Sequence, residues 1–400
     1  MLKKIRTEAL RPGMYIHELD CGWIDHPFVY NRFSVTSEAQ ISRVAAAGVR
    51  EVYIDTSRGD DVDDAPTVEE ARAELDREMV AAALAPAPAR RVAASDETQR
   101  ARKVLGEATT IVRRVMADAR LGHQVHVEAV EQVVERLTGS ILRNSGALLS
   151  LCRMKTKDDY TFLHSVSVGA LLIAFSRDLG TGADALREAG IGGMLHDIGK
   201  VRVPSGVLNK PGRLTDSEFA AMKLHVVYSR QILEATSGIP AAAVEVAGLH
   251  HERHDGSGYP DGLAGDAIAR IGQMAAICDV YDAITSDRVY HKGLQPTEAL
   301  RKIFEWNRFH FNPELTQAFL RCIGIYPVGA LVLLESGRLA LVVDQHEGSL
   351  LQPLVRVIFH VRSGHYLPPE DLDLSRPSCS DRIVRHEVPA DWNIDPARFI

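Results

Sequence analysis

Residues 250 to 260, His-His-Glu-Arg-His-Asp-Gly-Ser-Gly-Tyr-Pro, constrain this 400-residue chain more than any other stretch. Two adjacent histidines run straight into a glycine-rich turn. Neighbouring residues on a helix point about 100° apart. His250 and His251 therefore chelate one small ion poorly, and each suits one ion of a close pair. Gly256 and Gly258 permit a sharp turn and Pro260 fixes its exit, which makes the loop a lip over such a site.

A second stretch answers it upstream, Met194-Leu-His-Asp-Ile-Gly-Lys200. A His-Asp step on a helix, His196-Asp197, offers an imidazole to one ion and a carboxylate that bridges two. Downstream, Asp279 sits inside the apolar run from Ala276 to Asp282, and His164 and His225 fall on two further helical patterns. A lone histidine on an apolar helix is more often a hydrogen-bonded core residue than a ligand, and His254 reads as exposed only. The recurrence of His164, His196-Asp197, His225, His250-His251 and Asp279 in order outweighs that reading. Hard nitrogen and oxygen donors without a thiolate imply divalent ions. Imidazole suits zinc, iron and nickel, and carboxylate suits magnesium and manganese.

Together, LHDIGK, the KLH ending at His225, HHERHDGSGYP and CDVYDAITSDRVYHKG resemble the HD-GYP family, HD-superfamily phosphodiesterases that hydrolyse cyclic di-GMP. The resemblance spans residues 100 to 325. It implies two divalent ions (iron, manganese, nickel, magnesium or zinc) on His164, His196, Asp197, His225, His250, His251 and Asp279, with Asp197 bridging. It also implies substrate contacts at Lys200, Tyr259, Arg288 and Asp158. Val226 stands where the family often has proline, and His291, followed by Lys292, where it often has lysine. Some relatives place a glutamate that helps hold a third ion where this chain has Tyr160, four residues before His164. A phenol is neutral near pH 7, so two ions are expected.

Asp282 shares a helix face with Asp279. It is expected to back a ligand or to give a proton to the leaving oxygen, and it joins Asp197 and Lys200 as the expected catalytic set. In this reading cyclic di-GMP is opened to pGpG, GMP or both. Two rival classes stand beside it. Another HD-superfamily nucleotide hydrolase is disfavoured by the Gly-Tyr-Pro loop and the Ser-Asp-Arg-Val-Tyr stretch. A non-catalytic cyclic di-GMP receptor or adaptor, whose loop meets a diguanylate cyclase of the GGDEF type, is disfavoured by the complete ligand set.

A formal charge of −7 gives no general attraction to DNA or an anionic membrane, so a phosphate ligand must be held locally. Five cysteines, odd in number and without Cys-x-x-Cys spacing, argue against a disulfide framework and for a reducing cytoplasm. The N-terminus lacks the apolar segment of a signal peptide, and no run of 18 apolar residues exists.

The expected fold class is mainly α, an HD-type helix bundle with a small N-terminal α/β domain and a short C-terminal β appendage. Residues 1–62 read as strand, turn and strand over 8–16, a helix over 36–48 and a closing strand over 50–55. They carry no catalytic constellation and resemble the domain of unknown function that often precedes HD-GYP domains, so a regulatory or interaction role is expected. Residues 63–95 read as a helix and a Pro/Ala linker. The catalytic domain is placed at 96–325. Its first helix, 96–121, either pairs with a second chain in a homodimer or packs within the bundle. Helices follow over 126–144, around His164, over 184–198, from a Thr215–Glu218 capping box, over 241–251 and over 268–285. Residues 326–400 read as a β-rich extension with strands over 329–335, 339–343 and 354–360 and a loop-rich tail.

Overall fold

The structure is a computed structural model that describes residues 1–20, 32–62, 65–82, 92–153, 160–286, 293–345 and 350–399. At the N-terminus, β1 (Leu2–Arg6), β2 (Tyr15–Leu19), β3 (Phe33–Ser34) and β4 (Glu51–Asp55) form an antiparallel sheet in the order β1-β4-β2-β3. The helix α1 (Glu38–Ala46) packs on it through Val44. Alternation along β4 turns Val52 and Ile54 inward, onto a core with Ile5, Met14, Ile16 and Val44. Of the strand, turn and strand expected over 8–16, the first strand lies earlier, at Leu2–Arg6, because Thr7–Ala9 coils into a 3-10 turn ahead of the Pro12-Gly13 bend, and the second begins at Tyr15.

The helix α2 (Val68–Ala82) follows, and the linker expected beyond it falls at 83–91, outside the described residues. The long helix α3 (Ala94–Arg120) packs along α4 (Val127–Cys152) and buries Ala101, Leu105, Ala108, Val112 and Val115. Its apolar stripe is thus covered inside the same chain. The helix expected to stop at Asn144 continues to Cys152, with Asn144 itself non-helical (φ −157°, ψ 103°). The Asn144 side chain restarts the helix by accepting from Ala147 N at 3.2 Å.

The bundle continues with α5 (Tyr160–Asp178), α6 (Ala183–Leu195), α7 (Ser205–Leu208), α8 (Asp216–Glu234), α9 (Ala241–Leu249), α10 (Arg270–Thr285), α11 (Pro296–Trp306) and α12 (Pro313–Ile323). The expected capping box opens α8, with Glu218 N donating to Thr215 Oγ1 and Thr215 N to Glu218 Oε2. Helices α5 and α6 meet backbone to backbone. A Cβ on Gly193 would lie 2.6 Å from Gly169 Cα, so only glycine permits that approach. It brings His164 and His196 to a ring separation of 5.2 Å.

Two expected helices end early. Helix α6 stops at Leu195, before His196-Asp197, and α9 stops at Leu249, before His250-His251. The histidines leave the helix ends and turn into the centre of the bundle.

At the C-terminus, β5 (Leu331–Leu334), β6 (Arg338–Asp344), β7 (Leu354–His360), β8 (His365–Asp373) and β9 (Ile383–Glu387) form an antiparallel sheet in the order β8-β7-β6-β5-β9. The tail read as loop-rich therefore supplies both edge strands. Pro368 and Pro369 hide β8 in the sequence, yet proline is tolerated at an edge where its missing N–H pairs with nothing. Among the described residues, no helix is long and apolar enough to cross a membrane.

Candidate metal centre

Three histidines share one local device. His196 Nδ1 lies 2.7 Å from Gly193 O, His225 Nδ1 2.7 Å from Met222 O, and His250 Nδ1 3.0 Å from Ala247 O. A carbonyl only accepts, so each Nδ1 carries the proton and each Nε2 keeps a lone pair. Those Nε2 atoms converge on Asp197. His164 is held differently, with Nδ1 2.6 Å from Asp282 Oδ2.

Asp197 divides its two oxygens. Oδ1 faces His225 Nε2 at 3.3 Å and His250 Nε2 at 3.9 Å. Oδ2 faces His196 Nε2 at 3.3 Å and His164 Nε2 at 3.5 Å, and it also receives the Lys200 ammonium. Asp279 Oδ1 closes the second side, 3.1 Å from His164 Nε2. Donor atoms gather within 4.8 Å of one another in the groups His225-His250-His251, His196-Asp197-His250 and His164-His196-Asp279.

The seven expected ligands are therefore in one place. His251 joins His225 and His250 in one group, and His250 is shared with the group of His196 and Asp197. The ring centroids of His250 and His251 are 4.3 Å apart.

His196 Nε2, Asp197 Oδ1, His225 Nε2, His250 Nε2 and His251 Nδ1 are buried and have no hydrogen-bond partner. Leaving so many polar atoms unpaired is costly unless a cation takes them up. The set of neutral imidazole and carboxylate donors fits divalent ions. Burial pushes the His225 imidazole down to about 4 and His250 down to about 3, and it holds His251 well below its ordinary range. These three stay neutral, as ligation requires. Burial also works against a charge on His164, yet the carboxylates of Asp197, Asp279 and Asp282 outweigh it and raise that ring to about 10. Burial opposes ionisation of Asp197, but Lys200 and the surrounding imidazoles hold the carboxyl well below its usual range.

A cleft of about 510 Å³ opens beside His251. Tyr259 stacks on that histidine, with centroids 4.7 Å apart and planes 23° apart, and Lys223 Nζ lies 5.1 Å over the tyrosine ring. The 254–263 loop has an internal anchor that sequence reasoning missed. The buried Glu252 carboxylate accepts from Asp261 N at 2.8 Å and from Leu263 N at 3.0 Å. A glycine-rich loop exposes amides that need acceptors, and the carboxylate beside it was the signal. Gly258 is fixed by space, since a Cβ there would lie 2.3 Å from Arg253 N. Asp282 takes the place expected of a residue backing a ligand, and Lys200 lies at the carboxylate edge of the centre. Asp158, Arg288, His291 and Lys292 fall outside the described residues, as does the side chain of Tyr160.

Residues 147–315 match the HD domain family, and residues 2–130 match a domain of unknown function (DUF3391). The chain is 45% identical over 395 residues to a Pseudomonas aeruginosa protein named cyclic di-GMP phosphodiesterase, covering 98% of this chain and 94% of that one. A Vibrio cholerae cyclic di-GMP phosphodiesterase is 46% identical over 132 residues, which is 32% of this chain and 27% of its own. The 3'3'-cGAMP-specific phosphodiesterase 1 of the same organism is 37% identical over 154 residues, 38% of this chain and 36% of its own.

Proposed function

The chain belongs to the HD-GYP family of cyclic di-GMP phosphodiesterases, and on that premise we propose that it hydrolyses cyclic di-GMP at two divalent ions held by His164, His196, Asp197, His225, His250, His251 and Asp279. One observation supports the reading most strongly. Asp197 turns one oxygen to each of two histidine groups, and the buried Nε2 atoms of His196, His225 and His250 that face it have no hydrogen-bond partner.

Divalent ions bound there supply Lewis acidity and bring the pKa of water from 15.7 towards about 7. The protein's own residues do the rest. Asp282 fixes the ring of His164, and the carbonyls of Gly193, Met222 and Ala247 fix the other tautomers. Asp197 and Asp279 place two negative charges against two divalent cations, so the loaded centre keeps net positive charge for a phosphodiester. Lys200 adds an ammonium at the Asp197 edge, where charge develops on the phosphoryl oxygens. Tyr259 gives the cleft an aromatic wall for a base. The water oxygen bonds to phosphorus, the bond to one ribose oxygen breaks, and that oxygen takes up a proton. The linear product is pGpG, and a second hydrolysis yields GMP.

Chromatography of products from purified protein, incubated with cyclic di-GMP and manganese, iron, nickel, magnesium or zinc in turn, tests the reading. Formation of pGpG that stops on chelation is expected. No product with any of these metals would overturn it, and preferential cleavage of 3'3'-cGAMP would redirect the substrate assignment.

A further inference from the structure

The cleft beside His251 is not built by the helix bundle alone. Arg43, Ala46, Ala47 and Gly48, from the end of α1 and the turn after it, line it together with Tyr259. Two sets of contacts seat the N-terminal sheet there. On the loop side, Arg50 Nε donates to Asp255 Oδ2 at 3.0 Å, and Asp255 also accepts from Ser257 N and Oγ. A Cβ placed on Gly48 would lie 3.5 Å from the Ser257 side chain.

On the far side, the buried Lys4 ammonium sits among Asp20, Glu51 and Glu305, the last of these on α11. Trp306 Nε1 donates to Asp20 Oδ1 at 3.0 Å, and Lys302 lies 3.2 Å from the same oxygen. Such a cluster of buried, mutually compensating charges is satisfied only when both partners are in register. The helix α1 therefore holds a set position over the cleft.

We propose that Arg43 binds the second phosphodiester of the cyclic dinucleotide whose first phosphodiester lies at the Asp197 centre. This inference rests on the function proposed above. A cyclic dinucleotide carries two phosphodiesters on opposite sides of its ring. The cations and lysine of the centre serve one of them and leave the other to the outer cleft. Arg43, Lys223 and Arg253 line the cleft against a single carboxylate, Asp216. Arg43 is the cation that the N-terminal unit contributes to the lining, and it is exposed. A guanidinium presents a planar fork to a phosphate. The N-terminal unit is then part of the binding site, and displacing it opens the cleft and weakens binding.

The test uses full-length protein with Arg43→Gln and Arg43→Lys, reading KM and kcat for cyclic di-GMP, equilibrium binding by calorimetry and bound metal by elemental analysis. Arg43→Gln should raise both Kd and KM at least about tenfold, the scale of one charge-assisted contact. Metal content should hold, and kcat should change less than KM. Arg43→Lys should recover most of the loss, because a phosphate responds to charge. Equal Kd in wild type and Arg43→Gln overturns the inference. So does an Arg43→Lys variant as weak as Arg43→Gln, which would point to a base edge. If wild type binds cyclic di-GMP without cleaving it, the proposed function fails while the binding comparison still decides Arg43. If wild type neither binds nor cleaves it, both fail.

Discussion

Asp282 Oδ2 lies 2.6 Å from His164 Nδ1, on the side of the ring away from Asp197 and Asp279. A carboxylate in that place sets the tautomer and raises the basicity of the ligating nitrogen. Asp282→Ala should weaken metal binding and lower turnover by about 10- to 100-fold, with partial recovery in excess metal. Metal dissociation constants are the direct readout. Unchanged affinity with unchanged turnover would show that Asp282 only fills space.

Lys200 contacts Asp197 but has no lone pair to offer a metal when charged. Lys200→Ala should lower kcat/KM for cyclic di-GMP by more than about tenfold and leave two ions per chain, since one charge-assisted contact is lost. Loss of metal in this variant, seen by elemental analysis, would mean that Lys200 holds the site together instead of serving the substrate.

The seat of the N-terminal sheet should loosen in acid. Burial pushes the Asp20 carboxyl up, but Lys302, Lys4 and Trp306 outweigh it and hold the group down at about 2, below an ordinary value of 3.8. A depressed carboxylate stabilises the fold fully above its unfolded value and loses that contribution as pH falls through its folded value. Glu51 and Glu305 face the same cluster. Asp20→Asn should therefore cost on the order of 2 kcal/mol at neutral pH, with the difference from wild type shrinking between about pH 4 and pH 2. Paired denaturant titrations at several pH values measure it. A difference independent of pH would show that the Asp20 charge is immaterial.

The clustered histidines and aspartates were legible because their chemistry is rare and their order along the chain is distinctive. What the sequence hid was how they turn inward. His196-Asp197 and His250-His251 read as helical because the apolar runs before them are helical, but the helices end at Leu195 and Leu249. The edge strand β8 was hidden by two prolines and an exposed, polar face. The composite cleft left no local trace at all. Arg43 and His251 are remote in sequence, and they line one cleft because Arg50 meets Asp255, and Lys4 and Asp20 meet the α11 end, across the fold. Glu252 was visible beside its loop, yet its role emerges only with the amides it accepts from.

The count of ions that activate the enzyme tests the proposed dinuclear centre most directly. Metal-free protein should be titrated with manganese while bound metal and cyclic di-GMP turnover are followed together. Activity should reach its plateau at two ions per chain, and Asp197→Ala, which lacks the carboxylate shared by both histidine groups, should bind less metal and show no turnover. Full activity without metal, a plateau at one ion, close to three ions at saturation, or an active Asp197→Ala with unchanged metal content would each contradict it.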